Sequence, residues 1–342
     1  MAIRLKMEGV NEIMTKRERI ITLLQGKIPD CVPTGFSLHF PKEENSGPEG
    51  VKAHLKFFQE TDTDLVKIMN ENLVTEQTVR TPEDWSQVKW EETPPSFVKK
   101  QLEFTKEILE NYPGDGYSLG TLHGIVASSI HPIEKTYGYD GSRTLLVQHL
   151  REKEEPVLDA MKRIAEAMCQ LAWGYADLGV DGVYYAALGG ETRWFTDEEF
   201  ERWVMPFDKL ILSEIRKAGC SVFLHICKDG LKMERYRTYG ELCDVVNWGV
   251  YETSFSLEEG QKLFPGKIVM GGLANRSGVM TGGTKEELVK EAQRLVEEFG
   301  EKGFILGADC TLPTEIPYER IRWITEATRD TVLEGSGEIW KQ

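Results

Sequence analysis

The chain has 342 residues, 41 Lys and Arg against 56 Asp and Glu, and a formal charge of -15. That balance argues against a nucleic-acid or anionic-membrane binder, which needs a basic face. With 40% hydrophobic and 28% charged residues the composition is ordinary globular, so a disordered or fibrous chain is excluded.

At roughly 100–200 residues per domain the length allows two domains, and it suits a single α/β barrel equally well. No stretch approaches the roughly 18 apolar residues of a membrane helix, and the first twenty residues show no secretory signal. The six cysteines are widely scattered, unlike a disulfide framework. Reduced thiols in a cytoplasmic protein are the expectation, with some of them free to act as metal ligands.

In chain order, residues 1–13 read as a peripheral segment and 14–342 as one domain. An extra helix at about 14–26 precedes the first strand. Eight short apolar runs then follow, at 32–40, 64–73, 117–126, 181–188, 221–228, 245–252, 267–275 and 303–312. They are rich in β-branched and aromatic residues and bounded by Gly, Pro or charge, as buried parallel strands are. Between them lie segments of helical period. Residues 155–178 carry Val157, Met161, Ile164, Ala165, Met168, Leu171 and Ala172 on one stripe. Thr196 with Glu199, and Thr284 with Glu287, have the spacing of capping boxes, and Pro317 suits the first turn of a last helix over 317–333. The alternation predicts an α/β protein built as a single (β/α)8 TIM barrel with an extra N-terminal helix. No glycine fingerprint supports the open doubly wound sheet.

Barrel chemistry sits at the C-terminal ends of the strands. Those ends hold His39, Asn70, Glu71, His123, Tyr184, Tyr185, Glu191, His225, Cys227, Asn247, Tyr251, Glu252, Asn275, Asp309 and Cys310. His225 and Cys227, two apart late in strand five, project to the same side. Cys310 holds the matching place on strand eight. One nitrogen and two sulfur donors suit zinc with an exchangeable fourth position. The alternative is three buried side chains, two cysteines acting as small hydrophobes and a hydrogen-bonded histidine.

Glu71 and Glu252 are candidate acids, bases or extra ligands. Tyr185 is a candidate catalytic residue at the mouth. Asp309 points away from Cys310 and reads as a cap or ion-pair partner. Cys31, Cys169, Cys220 and Cys243 read as structural, and His54, His131 and His149 as helix-surface or loop residues. Phe36, His39, Phe40, Tyr184, Tyr185, Trp194, Trp248 and Tyr251 make an aromatic mouth, or else ordinary barrel packing.

The stretches MTKRERIITLLQGKIPDCVPTGF, FTDEEFERWVMPFDKLILSEIRKAG, FPGKIVMGGL and GFILGADCTLPTEIPYERIRWITEA resemble the uroporphyrinogen decarboxylase superfamily. The likeness runs from about residue 14 to 335 and implies the same barrel. In the decarboxylases proper an arginine-rich segment follows the first strand, an aspartate the second and a histidine the last. Here SLHFPKEENSGPEG has no arginine, Glu71 stands at the aspartate position, and GADCTLP offers Asp309 or Cys310 in place of the histidine. The sequence is more similar to the other branch, the zinc-dependent methylcobalamin:coenzyme M methyltransferases and related corrinoid-dependent methyltransferases. Their motif is His-x-Cys with a distant Cys, matched by His225, Cys227 and Cys310.

The resemblance implies zinc on those three residues. It also implies a corrinoid carried by a partner protein, because the chain has no cobalamin-binding domain of its own. The small molecule is then either a thiol acceptor or a methoxy, methylamine or methylthio donor. Its identity and the direction of transfer stay open, as does the fourth ligand, which is substrate, water or a carboxylate such as Glu71 or Glu191. A cofactor-free decarboxylase of the porphyrinogen type and a catalytically divergent binding barrel are the alternatives.

Overall fold

A computed structural model describes residues 13–331, 333 and 335–341. The segment 1–13 read as peripheral therefore lies, up to residue 12, outside the described residues. Eight parallel strands form one sheet: β1 (Thr34–Gly35), β2 (Leu65–Ile68), β3 (Tyr117–His123), β4 (Gly182–Ala187), β5 (Ser221–Ile226), β6 (Val245–Trp248), β7 (Ile268–Leu273) and β8 (Phe304–Ala308). Their order is β1-β8-β7-β6-β5-β4-β3-β2. The ring closes between β1 and β2 through Asp64, whose N–H donates to the Thr34 carbonyl at 3.0 Å. The architecture is the expected (β/α)8 barrel.

Every strand residue but three is buried, because helices cover the outside and side chains fill the inside. Leu65, Tyr117, Leu119, Tyr184, Phe223, Val245, Ile268, Met270 and Ile305 pack together inside the ring. Ile20 and Leu23, from α1 (Lys16–Leu24), join them and plug the bottom of the cylinder. A capping box starts α1: Glu18 N–H donates to Thr15 Oγ1 at 3.3 Å, and Thr15 N–H to Glu18 Oε2 at 2.7 Å. Both boxes expected from sequence form in the same way, at Thr196–Glu199 and Thr284–Glu287.

Several boundaries differ from expectation. The first strand shrinks to Thr34–Gly35, since Pro33 lacks a ladder donor and Gly35 sits against Leu65 with no room for a side chain. The sixth ends at Trp248, and Val250–Thr253 coils into a short helix that carries Tyr251 and Glu252. The last helix runs over Tyr318–Arg329, with Pro317 just before it.

After α2 (Gly47–Thr61) and α3 (Ser96–Asn111), the connection from β3 contains a long helix that sequence did not reveal, α4 (Ile125–Glu152). It is bent at Gly138, whose φ is 69°, and it leads into α5 (Glu154–Asp177), which buries the predicted stripe. Pro132 and the bend at Gly138 interrupt its pattern, so no single apolar stripe runs its length. His54 and His149, expected at the surface, are buried.

Candidate metal centre

The late positions of β5 and β8 converge as the parity argument requires. His225 lies inside β5. Cys227 follows its end, held by its N–H donating to the Ala187 carbonyl at 3.1 Å. Cys310 follows β8, where Asp309 N–H donates to the Leu273 carbonyl at 2.9 Å. The two sulfurs lie 3.9 Å apart, and one ligand atom from each of the three residues lies within 4.8 Å of the others. Two thiolates on one tetrahedral zinc sit about 3.8 Å apart, given Zn–S bonds of about 2.3 Å.

The imidazole is prepared for a cation. Asn247, in register with His225 on the neighbouring β6, donates its amide N–H groups to the carbonyls of Met270 (2.9 Å) and Ala308 (3.2 Å). Its Oδ1 is therefore turned toward His225 Nδ1, at 2.6 Å, and must accept a hydrogen bond from it. Tyr184 also donates to that oxygen, at 2.9 Å. The histidine is thus the Nδ1–H tautomer, and its Nε2 lone pair is buried with no hydrogen-bond partner among the described residues. A buried orphan acceptor beside two sulfurs fits a metal ligand. The thiols titrate as a pair. Donation from Cys227, with His225 close by, pulls Cys310 below the ordinary thiol range, and the same bond with burial pushes Cys227 above it.

The trio opens into a cavity of about 600 Å³. Its wall includes Lys67, Glu71, His123, His131, Glu252 and Arg276. Lys67 is buried, with its ammonium 3.6 Å from the Tyr184 ring centre and donating to Ser37 Oγ at 3.3 Å. Burial pushes it down to about 8, against the pull of Cys310, Cys227 and Glu71. Lys228, next to Cys227, has φ 93°, a left-handed backbone that a side chain rarely adopts.

Not every expected residue belongs here. Tyr185 is a correction: it faces outward from β4, where its hydroxyl donates to Asp208. Asp208 also accepts from Tyr239 at 3.0 Å and Ile125 N–H at 3.1 Å, and burial pushes it up to about 6. Strand parity sends adjacent Tyr184 and Tyr185 to opposite faces. Glu191 is a second correction, because its carboxylate is taken by Arg143 and by Gly189 N–H and is not free for a metal. Glu71 lines the cavity but lies outside the trio, accepting from His39 Nδ1 at 2.7 Å. Of the aromatic mouth, only His39 and Tyr184 line the cavity, while Phe36, Phe40 and Trp248 are core. Asp309 caps the short helix, accepting from Tyr251 N–H at 2.8 Å.

Sequence reasoning missed Lys67, Tyr139 and the place of His131, all on the cavity wall. Lys67 did leave a signal: it is a charge within the apolar run DLVKIM, with the same parity as Met69. His131 left none, because α4 itself was not legible.

A family model described as uroporphyrinogen decarboxylase (URO-D) matches residues 70–331. Among solved structures, a methyltransferase from Methanosarcina mazei superposes with a TM-score of 0.71 at 16% identity, covering 93% of this chain and 98% of that one. A B12-independent methionine synthase from Shewanella sp. W3-18-1, in complex with selenomethionine, gives 0.54 at 13% identity over 89% and 95%. A putative vitamin-B12-independent methionine synthase from Listeria monocytogenes gives 0.50 at 11% over 89% and 98%. At these identities the likeness speaks for the fold. No curated protein matches. No helix among the described residues is long and apolar enough to cross a membrane.

Proposed function

We propose, from the premise that the chain belongs to the uroporphyrinogen decarboxylase family, that it is a zinc-dependent methyltransferase. It moves a methyl group between a corrinoid carried on a partner protein and a small molecule that reacts at sulfur, oxygen or nitrogen. The observation that carries this reading is the unpartnered Nε2 of His225 beside two sulfurs 3.9 Å apart. The methyltransferase and the methionine synthases that share the barrel support methyl transfer; the synthases are described as B12-independent, so the corrinoid rests on the likeness of His225, Cys227 and Cys310 to the corrinoid branch's motif. Zinc on His225, Cys227 and Cys310 supplies a Lewis acid that lowers the pKa of a thiol or polarises a methylated heteroatom.

The chain's own residues do the rest. Asn247 fixes the imidazole so that Nε2 points to the ligand position. Glu71, held by His39, and the exposed Glu252 are carboxylates on the wall available for proton exchange with solvent. A porphyrinogen substrate with many carboxylates is disfavoured, because Arg276 is the sole arginine on the described cavity wall.

The test is metal content after purification without chelators. About one zinc per chain, lost in Cys227→Ala and in Cys310→Ala, is expected. A folded wild-type protein that holds no zinc after incubation with the ion overturns the proposal.

A further inference from the structure

Among the described residues, Cys227 and Cys310 are the two cysteines whose sulfurs touch, at 3.9 Å. That spacing suits two thiolates on one metal, and it is also short enough for direct coupling. A disulfide needs the sulfurs about 1.9 Å closer, at about 2.0 Å. Neither residue belongs to a strand ladder. Cys227 follows the end of β5 and Cys310 lies in a bend after β8, so side-chain rotation and a small loop shift can close the gap. The two strands are not neighbours in the sheet, so the bond would cross the barrel mouth.

Access separates this pair from the other thiols. Both sulfurs are half-buried on the wall of a chamber that also includes the exposed Asp229 and Glu252, so a small oxidant reaches them from solvent. Cys31, Cys220 and Cys243 are buried, and Cys169 is half-buried on α5. Burial pushes Cys220 up to about 11 and Cys31, Cys169 and Cys243 up to about 12. Those four stay protonated and react slowly with oxidants. Joining Cys227 to Cys310 removes two of the three donors and leaves His225 alone, which cannot hold the metal.

We infer that the pair is a redox switch: a hydroperoxide joins Cys227 to Cys310 as a disulfide, which expels zinc and stops methyl transfer until a dithiol restores the site. The inference rests on the zinc reading above and adds its regulation. With hydrogen peroxide, one sulfur attacks an oxygen, the O–O bond breaks, and a sulfenic acid and one water form. The second sulfur then attacks the first. The S–O bond breaks, the S–S bond forms and a second water leaves. The two thiols give up two electrons and two protons, and one peroxide becomes two waters. Where the sulfurs start as metal thiolates, solvent supplies the two protons.

The experiment treats the zinc-loaded full chain with a small excess of hydrogen peroxide, stopped by catalase. A chromogenic chelator reads released zinc, and a thiol reagent in denaturant counts free cysteines. Zinc release is expected in step with a fall from six thiols to four per chain. Mass mapping should find Cys227 joined to Cys310. Dithiothreitol should return all six thiols and the capacity to bind zinc. Cys169→Ser, which removes the half-buried competitor, should release zinc and form the same link. If zinc is held and peroxide leaves it in place, the switch is wrong and the methyltransferase reading stands. A link through another cysteine, or oxidation that dithiothreitol does not reverse, also overturns the switch alone. If no zinc is held before peroxide, both fall.

Discussion

Asn247 and His225 lie side by side on adjacent strands, and the 2.6 Å contact between Oδ1 and Nδ1 sets which imidazole nitrogen faces the two sulfurs. The amide cannot turn over, because its N–H groups are committed to Met270 and Ala308. This predicts that Asn247→Ala weakens zinc about 10–100-fold, as loss of an outer-shell partner does. Chelator competition measures it. Unchanged affinity would show that the histidine needs no such orientation.

His54 carries the clearest pH prediction. Its Nδ1–H donates to the Gly50 carbonyl at 2.7 Å, and its Nε2 accepts from Met69 N–H at 3.0 Å. Burial pushes it down to about 4, from an ordinary value near 6.5. The fold therefore favours neutral His54. Its contribution is complete above pH 6.5 and is lost as the pH falls toward 4, a change of about 3 kcal/mol. His123 and His131 act in the same direction. Urea denaturation from pH 7 to 4 should show the loss, and His54→Gln should flatten part of it. A variant with the wild-type slope contradicts the assignment.

Arg143 on α4 and Glu191 after β4 form a buried ion pair, and Arg143 also lies 4.9 Å from the Trp194 ring centre. Glu191→Met leaves the buried guanidinium with only the exposed Asp140 carboxylate as a charged partner and should lower stability by about 3 kcal/mol. Removing both charges in Arg143→Met with Glu191→Met should recover most of it. A double variant as unstable as the single one refutes the pairing argument, and calorimetry decides.

Gly260 packs on Trp248, and a Cβ there would lie 1.9 Å from the indole. Gly260→Ala should destabilise by at least about 1–3 kcal/mol, since neither the helix backbone nor the buried ring can move aside cheaply. Because Trp248 ends β6, one residue from Asn247, zinc affinity should fall with it. A neutral melting shift is the contrary result.

The barrel was legible because its signal is local. Each strand is a short apolar run, each helix has a period and a cap, and their alternation in sequence is the topology. The trio was legible for a related reason: parity puts His225 and Cys227 on one side of a strand, and barrel geometry brings Cys310 to them. Parity read without register failed at Tyr185, whose neighbour Tyr184 takes the inward place. The linear pattern says that alternate residues share a face, and only pairing with adjacent strands says which face is inside.

By itself, then, the sequence determined the eightfold alternation, the helix caps and the donor set, all properties of neighbouring residues. The tertiary structure decided the rest: the turn of His225 on Asn247, the burial of Lys67 against Tyr184 and the capture of Glu191 by Arg143. Each depends on groups far apart in the chain meeting where water is excluded, and no local pattern records such a meeting.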